Sequence, residues 1–272
     1  MIRRAMSEAE VAKCLRSVFE RIQNACTNRP QELSNFEPRL VAVSKTKPKE
    51  LIIAAYDAGQ RSFGENYVQE LVEKANDPEI LEKCQEIRWH FIGHLQRNKV
   101  NKIVDIPGLF VVETVDSAKL ASAINDQFEK RGHRGLLNVM VQVNTSGEEE
   151  KSGCPPDEAP VLAKHILEKC KNLNFLGLMT IGVYGYDLSL GPNPDFQCLR
   201  NCREKVCQEL GLTSSQVELS MGMSNDFEQA IEMGSSNVRV GSLIFGDRTP
   251  KVTQQEEEQL TQAVGDVKLD NN

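Results

Sequence analysis

The chain has 272 residues, 40% of them hydrophobic and 26% charged, which suits one large α/β domain or two small ones. A net charge of −7 without a basic run argues against a nucleic-acid surface, and the longest apolar runs fall far short of a membrane span. Eight cysteines are spread along a chain whose first residues (two arginines, then Glu8 and Glu10) make neither a signal nor a good transit peptide. A reduced, cytoplasmic protein is expected, with a mitochondrial fraction left open.

The pattern Val11, Leu15, Val18, Phe19, Ile22 predicts an amphipathic helix from Ser7 to Cys26, with Ser7 and Glu10 as a capping box. The first strand is Leu40-Val41-Ala42-Val43, running on toward Ser44-Lys45-Thr46-Lys47-Pro48. Pro48 suits the first turn of the next helix, so the strand must stop by about Thr46. Lys45 is then its last side chain sharing the parity of Val41 and Val43. Such a lysine is either a solvated strand end or a partly desolvated amine with a lowered pKa, able to attack a carbonyl. Lys47 has the same parity but already lies in the turn.

Further strands are expected at Arg61–Asn66, Ile87–Gly93, Leu109–Thr114, Asn138–Asn144, Phe175–Thr180, Val217–Ser220 and Asn237–Gly241. Helices are expected between them at 67–74, 96–104, 117–130, 157–171, 195–210 and after Asp226 to Met233. Cys198 and Cys202 share a helix face while Cys207 lies opposite, so they do not form a metal site. His90 and His94 have i,i+4 spacing, but His90 belongs to a strand, which removes the helical geometry zinc would need. Ser224 lacks the second glycine of a nucleophile elbow.

Eight strands alternating with helices, with no linker between them, predict a single (β/α)8 TIM barrel. An extra N-terminal helix precedes it, the barrel domain spans residues 1–248, and 249–272 form a polar tail. Functional groups of such barrels gather at the strands' C-terminal ends. Here these carry Lys45, Asn66, Gly93-His94, Asn144, Thr180, Gly222-Met223-Ser224 and Gly241-Ser242. The two Gly/Ser turns opening helices on strands seven and eight have the parts of a phosphate site, although a serine at a helix start can be only a cap. Arg239 points inward and meets either a ligand or a structural partner, for which Glu218 is the candidate.

An amine, a phosphate site and an inward arginine at one mouth suggest an aldehyde cofactor bearing a phosphate. The segments Val41–Pro48, Phe63–Glu70 and Trp89–Gly93 resemble the pyridoxal phosphate homeostasis proteins, as do Gly177–Thr180, Ser220–Ser224 and Val238–Gly246. The likeness runs from about Leu40 to Gly246. It implies the fold-type III barrel, similar to the N-terminal domain of alanine racemase. It also implies pyridoxal 5'-phosphate held on Lys45 as an internal aldimine. Met223, Ser224, Gly241 and Ser242 would hold the phosphate, Arg239 would face the pyridine nitrogen or phosphate side, and Asn66 would line the site.

The expected function is therefore binding, homeostasis and delivery of pyridoxal phosphate, with apoenzymes as potential recipients. The protein is expected to be a monomer and to have no catalytic or metal-ligating residues. A fold-type III racemase or decarboxylase is the alternative, and a cofactor-free Schiff-base aldolase a third. Racemisation needs a base on each face of the cofactor. Lys45 serves one face, and the short polar stretch after Gly241 is not expected to add the domain that supplies the other.

Overall fold

In the computed structural model, residues 6–33, 37–183 and 185–247 are described. The expected polar tail at 249–272 lies outside them. Eight parallel strands close in sequence order: β1 (Arg39–Val43), β2 (Ser62–Glu65), β3 (Arg88–Phe91), β4 (Leu109–Val115), β5 (Leu137–Gln142), β6 (Leu173–Met179), β7 (Glu218–Ser220) and β8 (Asn237–Val240). The ring closes through β1 and β8, where Val41 lies opposite Arg239. Among the described residues no helix is long and apolar enough to cross a membrane.

Side chains alternate across the wall. Outward-facing Leu40, Ala42, Phe63, Trp89, Phe91, Val112, Val139, Leu178, Leu219, Val238 and Val240 join the large core beneath the helices. The barrel's interior is smaller: Val111, Met140 and Met179 pack with Phe110 and Leu176 as a separate apolar cluster. Inward His90 on β3, Glu113 on β4, Glu218 and Ser220 on β7, and Asn237 and Arg239 on β8 are instead polar.

The helices are α1 (Glu8–Asn28), α2 (Lys49–Asp57), α3 (Val68–Ala75), α4 (Pro78–Lys83), α5 (Val100–Ile103), α6 (Ala118–Lys130), α7 (Ala159–Lys169), α8 (Pro194–Leu210), α9 (Phe227–Glu232) and α10 (Ser242–Phe245). Ser7 caps α1 with both halves of the expected box present. The buried stripe of α1 is Val11, Leu15, Val18, Ile22 and Ala25, packed against α2, α9 and α10. Because α9 and α10 have only six and four residues, α1 covers the wall where the barrel closes. A bidentate Arg21–Glu228 pair, at 2.9 and 2.6 Å, ties α1 to α9.

The first strand ends at Val43, sooner than the sequence suggests, although the Ser44 N–H still donates to the Gly64 carbonyl. Thr46 adopts φ 62°, the left-handed region that β-branched residues avoid, and turns the chain there. Pro48 is the N-cap of α2 and not its first helical residue. The single expected helix at 96–104 is a 3-10 turn followed by α5, and α4 was not anticipated.

Candidate functional site

The strand ends converge through specific contacts. Lys45, partly buried, follows β1 by two residues. Continuing the register of Val43 with Gly64 sets Lys45 alongside Asn66, whose side-chain Oδ1 is buried without a partner. The Asn66 backbone runs so close to Gly93 that a Cβ there would lie 1.9 Å from the Asn66 carbonyl oxygen, so only glycine fits. At the other side, Gly241 packs against Val43, with its Cβ position 3.2 Å from the Val43 carbonyl oxygen. The Gly241 N–H donates to Ser224 Oγ at 3.3 Å, joining the loop after β7 to the end of β8. Ser242, next in line, is exposed. The ends of β1, β7 and β8 thus bring Lys45, Ser224, Gly241 and Ser242 to one side of the mouth.

Two expectations about this cradle change. The turn Met223–Asp226 separates Ser224 from α9, and α10 is a single turn, so the groups offered here are hydroxyls and loop amides and not long helix dipoles. The Met223 N–H is already taken by Asp226 Oδ1 at 2.6 Å. Of this turn, Ser224 is therefore the residue whose polar group faces β8. Burial pushes the Asp226 carboxyl up from its ordinary range, against the pull of the Met223 N–H and Arg239.

Below the mouth lies a network that the sequence did not reveal. His90 Nδ1 is 2.6 Å from Glu113 Oε1, which also accepts from Asn237 Nδ2 at 2.9 Å. The Ser220 hydroxyl donates to Glu113 Oε2 at 2.6 Å. Its only proton is thereby spent, and its lone pairs face Asn237 Nδ2 at 3.0 Å and Arg239 Nη1 at 2.5 Å. Arg239 Nη2 donates to the Thr180 carbonyl at 2.7 Å. Burial works against ionising Glu113, but the donors His90 and Ser220 and the charge of Arg239 outweigh it and hold the carboxyl below its usual range. Burial likewise pushes His90 toward its neutral form, against the pull of Glu113. His90 Nε2 is left buried without a partner.

Arg239 is 4% exposed and touches no carboxylate among the described residues. The partner suggested for it, Glu218, is instead held by Arg39 in a bidentate pair at 2.8 and 2.9 Å. The Lys47 amine is engaged after α10, donating to the carbonyls of Gly246 and Asp247 at 3.0 and 2.8 Å. His94 is exposed, and its Nδ1 lies near both Ser152 and Asp116, so it cannot relay a proton as a triad histidine does. Among the described residues no group of His, Cys, Asp or Glu is placed to hold a metal ion.

The signal for the missed network was present but faint. Glu113 has the parity of inward Val111, and His90 the parity opposite to outward Trp89 and Phe91. A charged residue on the inner face of a strand calls for a partner, but its partners lie on β3, β7 and β8, distant in sequence.

Comparison with known proteins adds a lineage. Residues 21–249 match the family model described as alanine racemase, N-terminal domain. Over 242 residues the chain is 58% identical to the pyridoxal phosphate homeostasis protein of Homo sapiens, a match covering 89% of this chain and 88% of the human one. The protein of that name from Caenorhabditis elegans is 47% identical over 247 residues, 90% of this chain and 99% of its own. Among solved structures, PipY of Synechococcus elongatus with PLP bound is similar at a TM-score of 0.69 and 29% identity, covering 87% of this chain and 100% of PipY.

Proposed function

Because the chain belongs to the pyridoxal phosphate homeostasis protein family, we propose that it binds pyridoxal 5'-phosphate, holds it on Lys45 and takes part in its intracellular homeostasis and delivery. The observation that carries the reading is a set of donors beside one amine, among them a buried guanidinium with no carboxylate in direct contact. Arg239 is buried against a hydroxyl and a carbonyl only, Ser224 Oγ and the Gly241 N–H face each other at 3.3 Å, and Lys45 stands at the adjoining strand end. Such donors fit a phosphorylated ligand, and the unpartnered, buried Asn66 Oδ1 fits a ligand that brings a polar group of its own. When bound, the group would supply an aldehyde as the electrophile for a lysine amine.

The remaining roles belong to the chain. Ser224, Ser242 and the Gly241 amide hold phosphate oxygens. Arg239 would face the pyridine nitrogen or phosphate side of the group, kept in place by Ser220, which Glu113 orients. Met223 packs at the edge of the cradle, and Asn66 lines the side toward β2. Lys45 is the amine that meets the aldehyde, whereas Lys47 serves the chain after α10. The reading is of a carrier and not of an amino-acid racemase or decarboxylase, in the cytoplasm and as a monomer.

Exchange of the α-proton of alanine in deuterated water, with the protein saturated in cofactor, tests the carrier reading. Exchange no faster than free cofactor gives is expected. Faster exchange with inversion, lost in Lys45→Ala, would replace it with an enzyme.

A further inference from the structure

Behind the wall of the barrel, on the face opposite the mouth side chains, a second charged cluster surrounds the turn that carries Lys45. Glu65 ends β2 pointing outward and is fully buried. Lys74 and Glu70, one helical turn apart on α3, close over it, with Lys74 10% exposed. The Lys74 amine donates to Glu65 Oε1 at 2.7 Å, to Glu70 Oε1 at 2.7 Å and to the Ser44 carbonyl at 2.8 Å. All three of its donors are therefore used. The two carboxylates it bridges make further contacts: Glu65 Oε1 accepts from the Ser44 hydroxyl at 2.7 Å, and Glu70 Oε1 accepts from the Thr46 N–H at 2.5 Å.

These contacts have a specific consequence for Lys45. The Ser44 carbonyl belongs to the peptide group before Lys45, and the Thr46 N–H to the peptide group after it. Both are held by one assembly centred on Lys74. Thr46 is also the described residue other than glycine with a positive φ, 62°, a conformation a β-branched residue keeps only where its surroundings enforce it. The Glu70 hydrogen bond to its N–H enforces it here. Lysine carries its amine on a long, rotatable stem, so the direction of its Cα–Cβ bond decides whether the amine reaches an electrophile held by other residues.

We propose that Lys74, with Glu65 and Glu70, is a positioning device for Lys45: from outside the barrel it fixes both peptide groups flanking that lysine, and so aims the amine for covalent capture of the cofactor. This rests on the reading of Lys45 given above. The clamp touches neither the serines of the phosphate cradle nor Arg239, so its loss separates capture from recognition. A purely structural cluster would affect both alike.

The test compares wild type, Lys74→Met, Glu70→Ala and Lys45→Ala as full chains. Growth of the visible absorbance on mixing with pyridoxal phosphate gives the capture rate. Titration with pyridoxine 5'-phosphate, which has an alcohol where the aldehyde would be, gives recognition alone. Lys74→Met and Glu70→Ala are expected to slow capture by roughly tenfold or more, with affinity for pyridoxine phosphate unchanged. Glu70 is partly exposed, so Glu70→Ala carries the test if Lys74→Met does not fold. Capture at the wild-type rate in a folded variant, with absorbance lost in Lys45→Ala, overturns the clamp alone. Equal losses of capture and recognition overturn it as well, leaving a structural cluster. Absorbance that survives Lys45→Ala overturns the reading of Lys45 and the clamp together.

Discussion

Two arginines enter the barrel from adjacent strands, and they are treated in opposite ways. Arg39, at the start of β1, is matched by Glu218 with two hydrogen bonds and lies over the Phe110 ring at 5.3 Å. Arg239, near the end of β8, is more deeply buried, yet has only a hydroxyl and a carbonyl as direct partners. A buried guanidinium without a carboxylate is costly, and its nearest compensation, Glu113, acts through the oxygen of Ser220. The difference separates the floor of the barrel from its mouth. Charge at the floor is neutralised and serves the fold, whereas on the reading proposed above charge near the mouth is completed by a ligand.

Exchanging each arginine for methionine would break the comparison most forcibly. Arg39→Met leaves Glu218 mostly buried without its cation and should cost about 3 kcal/mol, the lower end of what losing one partner of a buried pair costs. Cofactor affinity should not change. Arg239→Met should lower the urea midpoint less while weakening cofactor affinity. Equal effects of the two substitutions on affinity would erase the distinction between floor and mouth.

The serines sharpen it. Ser224→Ala and Ser242→Ala each remove a hydrogen bond to a charged group, about 1.5–3 kcal/mol, or roughly one to two decades of affinity. The loss should apply to pyridoxal phosphate and not to unphosphorylated pyridoxal, so the preference for the ester should narrow in both variants. An unchanged preference in a calorimetric titration would remove these serines from the phosphate site.

A smaller effect is expected from acid. The Glu113 carboxyl is held below the value of about 4.3 that an unfolded chain would show. The stability it contributes is therefore present above that value and lost as pH falls through the folded one. Glu113→Gln should be less stable than wild type at pH 7, and its decline on acidification should be shallower. Parallel declines in urea midpoint between about pH 5 and pH 2, the span from just above the unfolded value to the folded one, would show that Glu113 is not the titrating group.

Much of the fold was legible because it is local. Strand alternation, the Ser7 capping box and the helix stripes each lie within a few residues of sequence. The strand ends were less so: β1 stops at Val43 because Thr46 leaves the extended region, which a β-branched residue does not advertise. For the candidate site, the sequence offered residues but not the contacts that support them. Glu113 finds His90, Ser220 and Asn237 on three other strands, and Lys74 finds Ser44 from the helix after the next strand. Pairing of Arg239 with Glu218 was plausible from parity alone, but Arg39 shares that inward parity and reaches the carboxylate first.

The central claim is that Lys45 is the amine that holds the cofactor, and borohydride reduction of the loaded protein followed by peptide mass mapping tests it most directly. The added mass is expected on Lys45, with the visible band lost in Lys45→Ala and kept in Lys47→Ala, whose amine serves the carbonyls of Gly246 and Asp247. A reduced adduct on Lys47 or on any other lysine, with Lys45 unmodified, would contradict the account.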